Sequence, residues 1–249
     1  MRIDLNSDCG ESFGEHLVGD DEQIIPLLSS ANLACGAHGG DPEVMARAIA
    51  LASAHKVRIG AHVSYPDREN FGRVVMQLSP DELRHSIAEQ LHRLTEAAAR
   101  AQADVTYVKP HGALYNEAQK DVQSATAVLD AVEEFDAALP VVCMPGSEIA
   151  GLAQQRGIAV TLEGFADRAY LASGALAPRS MARAVHTDVD LVVGQALAIA
   201  RREPVQTLDG GYLRVPAESI CIHSDTPGAL AMIRAVRAAL IAADFEVAC

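Results

Sequence analysis

Asp4, Asn6 and Asp8 occupy every second position of the opening segment, and Glu11 follows after a Cys-Gly step. Alternate residues of a strand share one face, so these polar groups form a single row. A buried row of this kind costs free energy unless it is hydrogen-bonded or used. One reading is a polar layer filling a barrel end. The other is a general base or a metal ligand, with Asp8, nearest the C-terminal end of the run, as the base and Asn6 and Glu11 orienting it.

Similar polar bursts close six further apolar runs. His38, His62 and His111 each follow such a run beside Gly or Ala, where imidazoles can converge with room for a ligand. Together with Asp8 they also suit zinc or manganese, but no His-x-x-x-His or His-Glu-x-x-His occurs, so no residue is assigned as a metal ligand. Lys109 stands two residues before His111, and inside a barrel its charge requires an anion or a carboxylate. Arg73, in the polar loop around Phe71, and Arg168, after another run, are candidates for holding a carboxylate or phosphate, although a lone arginine is most often a surface ion pair. His223, Asp225 and Thr226 close the last run. The helix start they introduce offers free backbone N–H groups to an anion. The loop around Phe71 has the composition of a lid.

The elements that must position these residues alternate. Short apolar strands are expected at Arg2–Asp8, Ala31–Cys35, Val57–Val63, Val105–Lys109, Val141–Met144, Ala159–Glu163 and Ser219–His223, separated by amphipathic helices. Ser79-Pro80-Asp81-Glu82 is a capping box with Pro in the first turn, and Asp41-Pro42 and Thr226-Pro227 are read as further helix starts. Strand followed by helix, repeated, makes a parallel α/β sheet. Chemistry at every strand end favours closure into an irregular (β/α) barrel of about seven strands over a doubly wound sheet. An eighth strand has room to hide in 172–193.

No linker or low-complexity tract divides the 249 residues, so a single domain over 1–249 is expected. Net charge is −13, which disfavours nucleic acid and anionic membranes as partners. The N-terminus carries an acid where a secretory signal would be apolar, and a cytoplasmic location is expected. Five cysteines, none in a C-x-x-C pair, argue against disulfides or a cysteine zinc site. Cys9 is read as core packing ahead of nucleophile. There is no P-loop and no Gly-x-Ser-x-Gly elbow, and the scarcity of aromatics lowers the case for a glycosidase. Acid–base chemistry remains.

Six strings span the chain in order: Asp4–Gly14, Ser30–Pro42, Gly60–Asp67, Val108–Asn116, Glu163–Tyr170 and Ile220–Gly228. In these the sequence resembles the LamB/YcsF family, the A component of bacterial 5-oxoprolinases. It departs at Ser7, where the family often has Cys, at Ser224, where it often has Gly, and over Ala172–Ala184. The resemblance implies a barrel related to glycoside hydrolases and deacetylases. It also implies ATP-dependent opening of 5-oxoproline to L-glutamate with partner subunits B and C, ATP being a co-substrate shared with them. Carried onto this chain, Asp8, Glu11, His38, His62 and His111 are the expected catalytic set. Asn6, Arg73, Lys109, Glu163, Arg168, His223, Asp225 and Thr226 are the expected substrate and phosphate binders. A metal-dependent amidohydrolase or deacetylase, and a non-catalytic component that only binds substrate, are the competing readings.

Overall fold

Strand β1 (Arg2–Cys9) pairs in parallel with β2 (Ser30–Ala34) on one side and with the last barrel strand on the other, so the sheet has no free edge there. The structure is a computed structural model describing residues 1–248. From β2 the order runs through β3 (Arg58–Val63), β4 (Val105–Pro110), β5 (Val141–Cys143) and β6 (Val160–Phe165). A small antiparallel hairpin, β7 (Pro204–Gln206) with β8 (Tyr212–Arg214), lies outside, and β9 (Ser219–Cys221) bridges β6 and β1. Seven parallel strands therefore close a barrel, and β10 (Glu246–Val247) adds to the start of β1.

The strands fall within one or two residues of their expected positions. No eighth barrel strand lies in 172–193: Glu163 pairs directly with Ser219, which closes the ring at seven. The intervening chain makes only isolated bridges, such as Arg168 with Val185, before helix α7.

Among the described residues, eight α-helices cover the barrel: α1 (Asp21–Ile24), α2 (Pro42–Ala54), α3 (Pro80–Arg100), α4 (Gly112–Ala118), α5 (Val122–Asp136), α6 (Glu148–Arg156), α7 (Val189–Ala200) and α8 (Ala229–Ala242). Their starts follow local chemistry. Ser79 and Glu82 form the capping box of α3, and Asp41 accepts from the Glu43 and Val44 N–H groups at α2. Caps of this kind contribute about 1 kcal/mol each. Thr226-Pro227 does not open α8. Gly228 in the left-handed region precedes it, and the Thr226 hydroxyl turns away to Asp167. The main apolar core joins strands to helices, with Leu5, Leu33, Ile87, Leu91, Leu94, Val128 and Ile220 among its buried members.

The barrel interior is polar instead. Asp4 accepts from Ser29 and Ser30, and also from Ser219, whose oxygen in turn accepts from Asn6. Tyr107 donates to Asn32 at 2.7 Å and fits because its neighbour in register is Gly60, where a Cβ would lie 2.0 Å from the Tyr107 ring. Each polar side chain finds a partner within the layer, which is what makes the buried row tolerable.

Candidate active site

The row on β1 rises from this base to the cavity floor. Asn32 donates to Asn6 and Asp8, both at 2.8 Å, and Lys109 Nζ lies 3.1 Å from Asp8 Oδ1 and 2.8 Å from Glu163 Oε1. Lys109 also reaches Asn6 Oδ1 and Cys221 Sγ, both at 3.3 Å. Burial works against the ammonium, but Asp8, Cys221 and Glu163 outweigh it and hold its pKa above the ordinary lysine range. Burial likewise opposes the charge of Asp8. His62 and Lys109 overcome it and keep the carboxyl well below its usual range. Every contact of Asp8 falls on Oδ1, leaving Oδ2 unpartnered among the described residues while Asp8 lines the cavity.

Glu11, His38, His62 and His111 form a tight group beside that floor. Glu11 Oε1 is 3.0 Å from His38 Nε2 and 3.4 Å from His111 Nδ1, and His111 Nδ1 is 3.0 Å from His62 Nε2. The His38 and His111 rings stack at 3.9 Å, and Phe71 meets both edge-on. The loop around Phe71 is closed down: its carbonyl accepts from His111 Nε2, and Arg73 reaches Asp225 at 2.5 Å. Gly72 is required at this approach. Its φ is +64°, and a Cβ would lie 2.9 Å from that of His38.

A cavity of about 550 Å³ opens at the C-terminal end of the strands. Asp8, His62, His111, Arg73, Arg168, Arg179 and His223 are among the residues that line it. Arg168 is 6% exposed and gives its hydrogens to the Ala177 and Ala184 carbonyls, without an ion-pair partner within 4 Å among the described residues. Burial first, then the neighbouring Arg179, lowers its pKa to about 10, so it remains a cation at neutral pH. A buried guanidinium with no counter-ion is a receptor for an anion. His223 Nδ1 lies 3.0 Å from both Asp167 oxygens, one of which also accepts from the Thr226 hydroxyl at 2.7 Å. A carboxylate can only accept here, so Nδ1 carries hydrogen and Nε2 has no partner among the described residues.

The expected residues thus divide by depth. Asp8, His62, Lys109, His111, Arg73, Arg168 and His223 line the cavity; Asn6, Glu11, His38, Glu163, Asp225 and Thr226 do not. Lys109 meets carboxylates of its own chain, Asp225 is engaged by Arg73 and Arg179, and Thr226 serves Asp167. Glu11 bonds His38 instead of orienting Asp8. Sequence reasoning passed over two contributors. Asp167 adjoins Arg168 in a string already singled out, and was legible; Arg179 lies in an irregular segment that gives no signal. Cys9 is buried and burial drives its thiol well above the ordinary range, in keeping with packing. Cys249 lies outside the described residues.

The LamB/YcsF family model matches residues 3–249. The chain belongs to the LamB/YcsF family. A relative from Acinetobacter baylyi, the A component of its 5-oxoprolinase, is 48% identical over 247 residues, 99% of this chain and 97% of that one. The crystal structure of the lactam utilization protein from Thermus thermophilus superposes with a TM-score of 0.94 at 45% identity, covering 100% of this LamB/YcsF chain and 99% of that one. A family 4 carbohydrate esterase from Streptomyces lividans shares the fold more distantly, with a TM-score of 0.52 at 11% identity over 99% of this chain and 91% of that one. Among the described residues no helix is long and apolar enough to cross a membrane.

Proposed function

We propose that this chain is the A component of an ATP-dependent 5-oxoprolinase, opening the lactam of 5-oxoproline to L-glutamate while ATP becomes ADP and phosphate. The observation that carries the reading is one cavity lined both by Asp8, with its free oxygen, and by Arg168, with its unpaired guanidinium. That pairing suits a small anionic amide. The 48% identity to a relative called the A component of 5-oxoprolinase supports the substrate, and that lettered designation supports partner subunits B and C. With no P-loop in this sequence, ATP chemistry is shared with those partners.

A lactam resists water because amide resonance stabilises it, so phosphorylation of its oxygen comes first. Water then adds to the former carbonyl carbon as Asp8 Oδ2 takes its proton. The anionic substrate moves the Asp8 pKa back up toward the range a base needs. His223 Nε2, bare because Asp167 holds the hydrogen on Nδ1, takes up a proton from water and passes it to the ring nitrogen, and the C–N bond breaks. A second water hydrolyses the resulting acyl phosphate to glutamate and phosphate. Arg168 holds the substrate carboxylate and Arg73 the phosphate.

The test is glutamate release from 5-oxoproline and ATP, with this chain alone and with subunits B and C. Release that requires all three supports the reading. Full-rate turnover by the isolated chain overturns the division of labour, and no release in any combination overturns the substrate.

A further inference from the structure

Each imidazole of the buried quartet has one nitrogen committed to a fixed group. His62 Nδ1 lies 3.0 Å from the Lys109 carbonyl and His111 Nε2 lies 2.9 Å from the Phe71 carbonyl. Carbonyls only accept, so both nitrogens carry hydrogen. Ser64 donates its one hydroxyl hydrogen to the Tyr65 carbonyl at 2.7 Å, and therefore accepts from His38 Nδ1 at 2.9 Å. In neutral rings this leaves bare lone pairs on His38 Nε2, His62 Nε2 and His111 Nδ1. Those three atoms and a Glu11 oxygen lie within 4.8 Å of one another.

Two of the contacts, His38 with Glu11 and His62 with His111, join acceptors 3.0 Å apart. Such pairs repel unless positive charge stands between them. Two protons satisfy the quartet, and so does one divalent cation with Glu11 ionised; the net charge is +1 either way. We infer that Glu11, His38, His62 and His111 form a binding site for one divalent ion of the zinc or manganese class, which displaces the two protons.

Three imidazoles and a carboxylate are a donor set that zinc accepts, and bonds of about 2.0–2.1 Å in a tetrahedron require ligand edges of roughly 3.3 Å. The edges here include 3.0, 3.0, 3.4 and 4.0 Å, close to that spacing, and one ion is seated once the stacked His38 and His111 rings turn so that both lone pairs meet it. The outer nitrogens already hold the hydrogen bonds that orient metal-binding histidines. Asp8, Cys221 and His223 also lie close together, but Lys109 Nζ, 3.3 Å from Cys221 Sγ, opposes a cation there. Glu11 and His38 stand behind the cavity wall, which His62 and His111 help to form, and no step of the lactam reading passes through the quartet.

Metal-stripped protein titrated with zinc chloride tests the site. The expected results are one ion retained per chain after gel filtration and about two protons released per ion in weak buffer at about pH 7. His38→Gln loses stoichiometric retention. Ser64→Ala keeps all four ligands but frees the His38 ring, and binds about 10- to 100-fold more weakly. His223→Gln retains the ion. Binding indifferent to His38→Gln and Ser64→Ala, retention without proton release, loss confined to His223→Gln, or no stoichiometric ion at all overturns the proposal. Should His38→Gln fail to fold by circular dichroism, Ser64→Ala and the proton count decide. The ion count is read without turnover, so its failure leaves the lactam reading standing, and the converse holds.

Discussion

Lys109 Nζ lies 2.8 Å from Glu163 Oε1 inside the barrel, and the two side chains are 2% and 0% exposed. The same ammonium lies 3.1 Å from Asp8, so one buried cation serves two buried carboxylates. Removing it leaves both buried anions uncompensated. Lys109→Met is expected to cost about 3–5 kcal/mol of stability, read as a lower urea midpoint. An unchanged midpoint would show that the interior admits water freely.

Asp8→Asn keeps the shape of the side chain and its place beside Asn32, but an amide cannot take a proton from water. Turnover in the assembled three-component enzyme should fall by about 100- to 10,000-fold, the range for loss of a general base, with far-ultraviolet dichroism unchanged. Near-normal kcat would remove Asp8 from the base role.

Asp167 does its work through His223. In Asp167→Asn the amide NH₂ can turn toward His223 Nδ1 and favour the ring's other tautomer, in which Nε2 already holds its hydrogen and cannot take up the proton it relays. The fall is expected in kcat, with KM little changed. A rise in KM alone would instead make His223 a substrate-binding group.

Arg168 has no carboxylate partner in its own chain, so the substrate is expected to supply one. Hydrogen bonds to a charged group contribute about 1.5–3 kcal/mol, and Arg168→Lys should raise KM for 5-oxoproline roughly 10- to 150-fold by the same conversion. Equal KM values for both forms would place the substrate carboxylate elsewhere.

Asp225 links the Phe71 loop to the segment bearing Arg179. Burial opposes its charge, but Arg179 and Arg73 outweigh this and depress the pKa from its ordinary 3.8. A depressed carboxyl contributes stability that is complete above the unfolded pKa and is lost as pH falls through the lower folded value. Unfolding midpoints of the wild type should therefore drop between about pH 5 and about pH 2 more steeply than those of Asp225→Asn. Parallel curves would show that the arginine contacts do not persist in solution.

Much of this was readable from the chain alone, for local reasons. Alternation along β1 put Asp4, Asn6 and Asp8 on one face before any fold was known, and the capping box at Ser79 fixed the start of α3. Apolar runs ending in His62 and His111 placed both at one rim, because strand direction and β/α order are properties of consecutive residues. Partner choice is not. Whether Lys109 meets a ligand or Glu163, whether the ring closes at seven strands, and which nitrogen of His38 is bare depend on groups brought together across the barrel. The 2.8 Å contact of Lys109 with Glu163, the pairing of Glu163 with Ser219 and the Ser64 hydroxyl beside His38 settle those questions in turn. Sequence determined which groups reach the rim, and tertiary closure decided which of them are consumed by one another and which, like Asp8 Oδ2 and Arg168, are left for a ligand.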